Sequence, residues 1–548
     1  MFKTLKAQNS VIPAVNADIV IPGLPLNQVG YLRIASDINN VFGNAITGVV
    51  IEEQNALGFP NQFRFVLYNG IISNVMTITP ASLTIGLQTN SSPYPMFNLM
   101  FYPDIVLVKI GTNLKAIITF DTDDTNFGAY WVEYDINPTT LVASQNTFSF
   151  GGCVPLTHAY LGSGSNFSHL PRVDRSNNGV SDIFAVVAMQ DVNNNTGIPV
   201  ITYFEDNGSS FQFNTTLIYQ PAIGSIGSNN YYNPDIAIGW DQTNSEICCA
   251  VSYVEDNVLN PNSYSVQQVE YKPSNPSLYT SNYSNTISTF YPFSPFVINP
   301  RICAPPIFNT SPTNDIPFGL CYSNSPLQLP WSNGNLYYAH YSSTGLNTLK
   351  PDAQNAYATS YNGEPVIEYM QDTPGNTARE ACMAWSAMLN VSGTIKYGIY
   401  ALMDPFVNLT FYDWSQVNFN PINTSTNIRY CTAIAGTWDN GMDRYVIAWL
   451  ADNVLSLKIR NVHVTNYKSA SSLGNVNIEI YPNPAKNKIN LIAPGNITYG
   501  VYNVMGVLMN QGRTQESGLT ELNTQTLNNG VYFIKTESKT TTFTINRY

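Results

Sequence analysis

An all-β chain is predicted, and three observations predict it. One phrase recurs along most of the sequence: a continuous apolar strand, a polar turn, then an alternating strand rich in aromatics. Seven copies follow one another at roughly 63 to 70 residues, with no helical period between them. The last seventy or so residues then break into strand-sized segments bounded by Gly, Asn or Pro. Seven copies of this length fit the blades of a seven-bladed β-propeller, and the tail reads as a small C-terminal Ig-like β-sandwich.

The apolar members of the repeat are 45–51, 116–120, 184–188, 247–253, 316–322, 381–387 and 445–449. A strand in the middle of a blade presses on a neighbour with both faces, so it has no polar alternation. The aromatic members are 63–68, 129–134, 199–203, 264–271, 336–340, 395–400 and 454–459, and they are expected further out. No outer strand is evident for the seventh copy after His463 and Val464, while Ala17–Pro22 is a lone alternating strand ahead of the first. That segment is expected to complete the last blade, so that no edge is left open. The propeller is assigned to 11–466, a small polar linker to 467–475 and the sandwich to 476–548.

Before each apolar strand stands a charged residue: Arg33, Asp104, Arg172, Asp235, Arg301, Glu368 and Arg429, at about 61 to 71 residues and with alternating sign. Four of them follow Pro. On innermost strands these would form a channel belt in which each guanidinium bridges carboxylates of adjacent blades. Because seven is odd, the alternation is expected to fail between Arg429 and Arg33, leaving a positive gap for an anion or water. The plainer role of such a belt is to fix blade register.

Charged residues make up only 11% of the chain and net charge is −12, which disfavours nucleic acid as a partner and favours glycans or protein surfaces. No apolar run is long enough to span a bilayer. The seven cysteines show no metal-ligand spacing; no disulfide framework is expected, with Cys303 to Cys321 the best local pairing if one forms. No HExxH, GxSxG or P-loop is present, and His158, His169, His340 and His463 are scattered. Two turns carry oxygen ligands: Asp121, Asp123 and Asp124, and Asp191 with Asn193. Either could contribute to a calcium site, though neither has the full loop spacing with a distal Glu, so solvated turns are the plainer reading. Calcium is the one cofactor considered. With Glu52-Glu53 and Glu255-Asp256 these turns would make one face of the disc acidic, and Trp131, Trp240 and Trp331, if exposed there, could stack on sugar rings.

The tail supplies a more specific signal. Tyr481-Pro482-Asn483-Pro484, the hairpin ending at Gly506, Gly530 with Tyr532 two residues on, and a last strand ending at Arg547 closely resemble the type A C-terminal sorting domain of the Bacteroidetes type IX secretion system. The resemblance implies an export address that docks on the type IX translocon and its outer-membrane shuttle barrel. It also implies a secreted or outer-cell-surface location. Such cargo carries a signal peptide; 1–8 lacks an apolar core, but Leu5-Lys-Ala-Gln8 looks like the end of one. Residues 1–10 are therefore expected to be a residual signal-peptide end or an N-terminal tail. The propeller itself is expected to act as a binding or adhesion module. The alternatives are a secreted glycan-active hydrolase or lyase and a structural subunit of a surface or motility assembly.

Overall fold

The computed structural model describes residues 19–20, 28–36, 46–54, 57, 59–69, 72–85, 97–110, 113–124, 128–147, 153–156, 168–177, 182–192, 196–206, 211–218, 229–257, 263–271, 281–288, 299–304, 307–308, 318–324, 335–340, 348–349, 361–362, 365–369, 380–391, 394–405, 415–416, 423–425, 429–439, 442–451, 456–464, 479–481, 484–492, 498–504, 507–514, 519–536 and 540–547. Residues 1–10 and Trp331 lie outside them. The chain divides into two compact units, Met1–Val464 and Thr465–Tyr548.

Among the described residues the first unit's strands form seven sheets, built mainly of antiparallel neighbours, each with one strand facing the middle of the unit; in the fourth sheet that strand also pairs at its end with the parallel Ile307–Phe308, and in the sixth Tyr361–Asn362 precedes it. These inner strands, called first strands below, are Gln28–Ser36, Met100–Ile110, Ser168–Asn177, Asn229–Asp241, Arg301–Cys303, Val366–Tyr369 and Arg429–Asp439; their sheets are numbered 1 to 7 in that order. Each first strand touches the next, and the seventh touches the first, so the seven close a ring. The arrangement is β-propeller-like. In sheet 7 the outermost strand, Ser456–Val464, is flanked by Ile19–Val20, with Ile19 opposite Ile459.

The core is a series of seams between successive sheets, which explains the continuous apolar strands. Successive residues of a strand point to opposite faces. Ile105 and Leu107 accordingly pack with Val50 and Phe65 of sheet 1, while Val106 and Val108 pack with Val173, Phe184 and Val186 of sheet 3. Trp131 belongs to that second seam: it is 3% exposed, with its ring 5.0 Å from Phe204 and 6.0 Å from Phe184. Trp131 is therefore inter-sheet core, the commoner place for such a Trp, and offers no platform to a sugar ring. Trp240 is half-buried beside the seam of sheets 3 and 4. The pairing of Cys303 with Cys321 is corrected. The two are not joined in a disulfide, because register places Cys303 opposite Gly319 and Cys321 opposite Arg301. They pack as small hydrophobes.

Five first strands share an irregularity. The register slips between Val29 and Leu32, Phe101 and Asp104, His169 and Arg172, Tyr232 and Asp235, and Tyr430 and Ala433. In sheets 2, 3 and 4 the first bulged residue takes a left-handed conformation (Tyr102 φ 52°, Leu170 φ 53°, Asn233 φ 50°) and is followed by Pro, which has no N–H to lose at a bulge. A side chain there costs about 1–2 kcal/mol, so something must hold the turn in place.

In the second unit, a sheet of Glu479–Tyr481, Lys488–Ile492 and Leu519–Asn523 and a sheet of Leu508–Arg513, Thr498–Asn503, Gly530–Thr536 and Thr540–Ile545 bury one shared core. Ile489, Leu491 and Leu522 of the first meet Val501, Ile534, Phe543 and Ile545 of the second.

Candidate functional site

A cavity of ≈ 130 Å³ runs among the first strands of the first unit and takes lining residues from all seven, including Arg33, Asp104, Asp174, Asp235, Arg301 and Glu368. Charge belongs here because a first strand is a sheet edge, and its outward N–H and C=O groups need partners other than a strand. Carboxylates supply them, each reaching from one sheet to the next. Val173 N–H donates to Asp104 Oδ2 at 3.0 Å, Ile238 N–H to Asp174 Oδ2 at 2.8 Å and Ile302 N–H to Asp235 Oδ2 at 3.0 Å. A second tier caps the bulges: the left-handed Tyr102 donates its N–H to Glu52 Oε2 at 2.8 Å, and Leu170 its N–H to Asp121 Oδ2 at 3.1 Å. Arg175 works in the reverse direction, donating to the carbonyls of Leu107 in sheet 2 and Ser36 in sheet 1. The buried charges are inter-sheet staples.

The expected belt is placed as follows. Asp104, Arg172 and Asp235 come first past the bulge, Arg301 follows Pro300, and Arg33 stands one residue beyond Leu32, the first past the bulge of its own strand. Arg33 Nε lies 3.9 Å from Asp104 Oδ1, and Arg301 Nη1 lies 3.6 Å from Asp235 Oδ1. The last two members differ. After Pro365 the corresponding residue is Val366, and Glu368 sits two residues deeper, opposite Cys382. In sheet 7 the residue past the bulge is Ala433, whereas Arg429 pairs with Ala451 on the other side of it. The belt is thus five alternating charges and two apolar residues. A constant residue count hid the change because it ignores where the bulge falls.

Burial dominates the electrostatics. It pushes the Asp121 and Asp174 carboxyls up to about 7 and Asp235 to about 8, against the pull of their backbone donors. Asp104 and Glu52 are raised by the same cause, with Arg172 and Arg33 opposing. The Arg33 guanidinium lies 5.6 Å from the Tyr31 ring centre, and Tyr31 meets Tyr102 edge-on at 4.8 Å.

The first of the two oxygen-bearing turns is placed as follows. Asp121 caps Leu170, Asp123 Oδ1 accepts the N–H groups of Asn98 and Leu99 at 2.8 and 3.0 Å, and Asp124 Oδ2 accepts Tyr130 OH at 2.5 Å. The three carboxylates turn to separate donors instead of converging. Asn193 and the Asp191 side chain lie outside the described residues. Nor do Glu52 and Glu53 form an acidic surface, being 3% and 0% exposed; Glu53 pairs with Arg64 at 2.7 Å. Among the described residues the group that does gather is Asp241, Glu246 and Cys248. Asp241 there caps its own turn, accepting Thr243 N–H at 2.9 Å and Asn244 Nδ2 at 2.8 Å.

In the second unit, Tyr481 ends a strand, and Pro484 precedes Ala485, whose N–H donates to Thr544 O at 2.7 Å. Gly530 has φ +155°. The ring of Tyr532 stacks 5.6 Å from Phe543, and its hydroxyl donates to Asn528 O at 3.0 Å. Arg547 gathers four carbonyls: Nη2 donates to Thr524, Gln525 and Leu527 at 2.7, 3.1 and 2.6 Å, and Nε to Lys486 at 3.3 Å. Pro482, Asn483 and Gly506 lie outside the described residues. Arg547 is therefore a latch that ties the last strand to two loops. Arg547→Ala is expected to lower the stability of this unit by about 1–3 kcal/mol, and Arg547→Lys to recover only part, since an ammonium lacks the planar fork. Hydrogen exchange of the amides of 519–545 measures both. Beside the 503–508 hairpin the unit exposes Val504, Val507, Leu508, Met509 and Val531.

Residues 479–547 match the secretion system C-terminal sorting domain. No curated protein matches the chain. Solved structures similar to it include Trypanosoma rangeli sialidase in complex with the inhibitor DANA (9% identity, TM-score 0.37, covering 84% of this chain and 87% of that one). They also include 1,3Gal43A, an exo-β-1,3-galactanase from Clostridium thermocellum (11%, 0.31, 83% and 90%), and the exo-β-1,3-galactanase from Phanerochaete chrysosporium with galactose (11%, 0.27, 84% and 99%). The type IX sorting domain marks proteins that reach the cell surface or the medium, and this chain carries one. No helix among the described residues is long and apolar enough to cross a membrane.

Proposed function

We propose that the chain is an exported binding protein in which 465–548 is the address and 1–464 the cargo. The observation that carries this is the match of 479–547 to a sorting domain on a unit with its own two-sheet core. In this reading the tail is an Ig-like sandwich that engages the type IX translocon and its outer-membrane shuttle barrel, presenting the apolar tip at Val504, Val507 and Leu508. The seven sheets are the seven blades of a propeller, and its loops bind a glycan or a surface protein. Fusing 465–548 to a reporter that already crosses the inner membrane is expected to carry the reporter to the surface or medium of a type IX-competent cell. Retention of the fusion would remove the proposal's foundation.

Binding is preferred over catalysis for the cargo because the buried carboxylates spend their oxygens on backbone N–H groups of neighbouring strands. The second reading, a glycan-active hydrolase or lyase, is favoured by Asp121 and Asp235, which hold protons near neutral pH. A glycan array followed by product analysis separates the two. Saturable capture without turnover is expected, unchanged when calcium is chelated; cleavage that disappears in Asp121→Asn would establish the enzyme.

A further inference from the structure

Sheet 2 buries a lysine that plays no part in the central cavity. Lys115 lies on Asn113–Thr122 and Glu133 on the neighbouring strand Ala129–Ile136. Register sets Lys115 opposite Asp135 and Ile117 opposite Glu133, so Lys115 reaches Glu133 diagonally. Both side chains stand on the face that carries Ile117 and Trp131 into the seam with sheet 3, and they are 5% and 4% exposed. Lys115 Nζ donates to Glu133 Oε1 and to the half-exposed Asp135 Oδ1 at 2.6 Å. Asn146 completes the group from the other side of the Glu133 strand, where it follows Ala143–Gln145. Its backbone N–H donates to Glu133 O at 2.8 Å, and its Nδ2 donates to the same Glu133 Oε1 at 2.9 Å. One carboxyl oxygen thus touches a lysine amine and a carboxamide nitrogen that come from opposite sides of its strand. The other oxygen, Oε2, is buried and accepts no hydrogen bond. Burial raises this carboxyl above its ordinary value, against the pull of Lys115.

We propose that Lys115 and Asn146 join in an intramolecular isopeptide bond, with Glu133 moving the protons between them. Starting from the ammonium and carboxylate pair, Glu133 Oε1 takes one proton from Nζ, and the neutral amine attacks Asn146 Cγ. Oε1 gives that proton to Nδ2 and takes the second from Nζ. The Nζ–Cγ bond forms, the Cγ–Nδ2 bond breaks, and ammonia leaves, carrying off the proton left on Glu133 as ammonium. No oxidant or reductant is needed. The one oxygen in contact with both nitrogens is placed for both transfers. Because they share it, the two nitrogens lie no farther apart than two hydrogen bonds, and the flexible lysine stem has only to bring Nζ to about 3–3.5 Å from Cγ. The bond would tie the short outer strand Ala143–Gln145 to the second strand of sheet 2 across the strand between them. The inference stands apart from the export reading.

The test is mass spectrometry of the purified full chain, intact and digested. Wild type is expected to weigh one ammonia less than its sequence, and its digest to contain a branched peptide that joins Lys115 to Asn146. The digest is needed because Asn-Gly steps of this chain can also shed ammonia, as succinimides. Lys115→Arg and Asn146→Ala are expected to abolish the branched peptide, and so is Glu133→Gln, which keeps the shape of the side chain and loses its acid. Asn146→Asp is expected to form the bond again, with loss of water in place of ammonia. Should any variant fold poorly, the wild-type digest decides alone. A wild-type digest that yields only linear peptides with Lys115 and Asn146 unmodified would overturn the proposal and leave an ordinary buried ion pair. A bond formed undiminished in Glu133→Gln would overturn the part given to Glu133.

Discussion

A chain cut after Ser472 is expected to fold its first unit normally and to reach neither the medium nor the cell surface. The effect should be all or none, because the truncation removes the whole matched segment, 479–547, while taking nothing from the seams between the seven sheets. Fractionation followed by immunoblotting measures it, with proteolytic resistance of the retained protein as the check on folding. Two single substitutions separate a folded address from a linear motif. Ile534→Asp places a charge in the shared core of the two sheets, where Ile534 is fully buried, and is expected to reproduce the truncation. Leu508→Asp changes a residue 45% exposed at the apolar tip and should leave the unit folded while reducing export several-fold. Normal export of the Ile534→Asp chain would show that the machinery reads extended sequence. Normal export by the truncated chain would mean that the address lies elsewhere.

The parts of this molecule that were legible in the sequence depend on local chemistry. The continuous apolar runs could be read because both faces of those strands are covered, as Ile105 and Val106 show by entering different seams. The tail could be read because prolines and glycines such as Pro484 and Gly530 constrain the chain within a few residues. What stayed hidden depends on register between distant strands. Asp104 marks itself as important by charge, but its donor, Val173 N–H, belongs to another sheet. Asp121, Asp123 and Asp124 present the same oxygens whether a metal or backbone N–H groups receive them, and only the fold chooses the latter. Glu368 and Arg429 were misplaced because residue counting cannot tell a bulge from a longer loop.

The staples also set the second large effect: the first unit should become less stable as pH rises from about 5.5 to 8.5. Asp121 and Asp174 move from an ordinary 3.8 to about 7, and Asp235 to about 8. Between those limits the folded chain binds more protons than the unfolded one, so the slope of unfolding free energy against pH is negative. The contribution is fully present below about pH 4 and is lost as each group ionises through its folded value. Asp104, Glu52, Glu133 and Asp182 are raised too and act with the same sign. Summed, the loss should reach on the order of several kcal/mol, opposite to the acid lability of a protein held by ionised carboxylates. Denaturant titrations at pH 5.5, 7 and 8.5 measure it. Asp235 faces Arg301 at 3.6 Å, with Arg172 and Arg33 attracting and Asp104 repelling its charge. Asp235→Asn keeps an acceptor for Ile302 N–H and removes the titration, so it should flatten part of the slope while preserving stability at pH 5.5. Asp235→Ala leaves that N–H without an acceptor and should cost about 1–3 kcal/mol at pH 5.5. A wild-type chain whose stability is level or rises across this range would show that the channel carboxylates are ionised in the folded state, each staple then being a charge-assisted hydrogen bond from a backbone N–H.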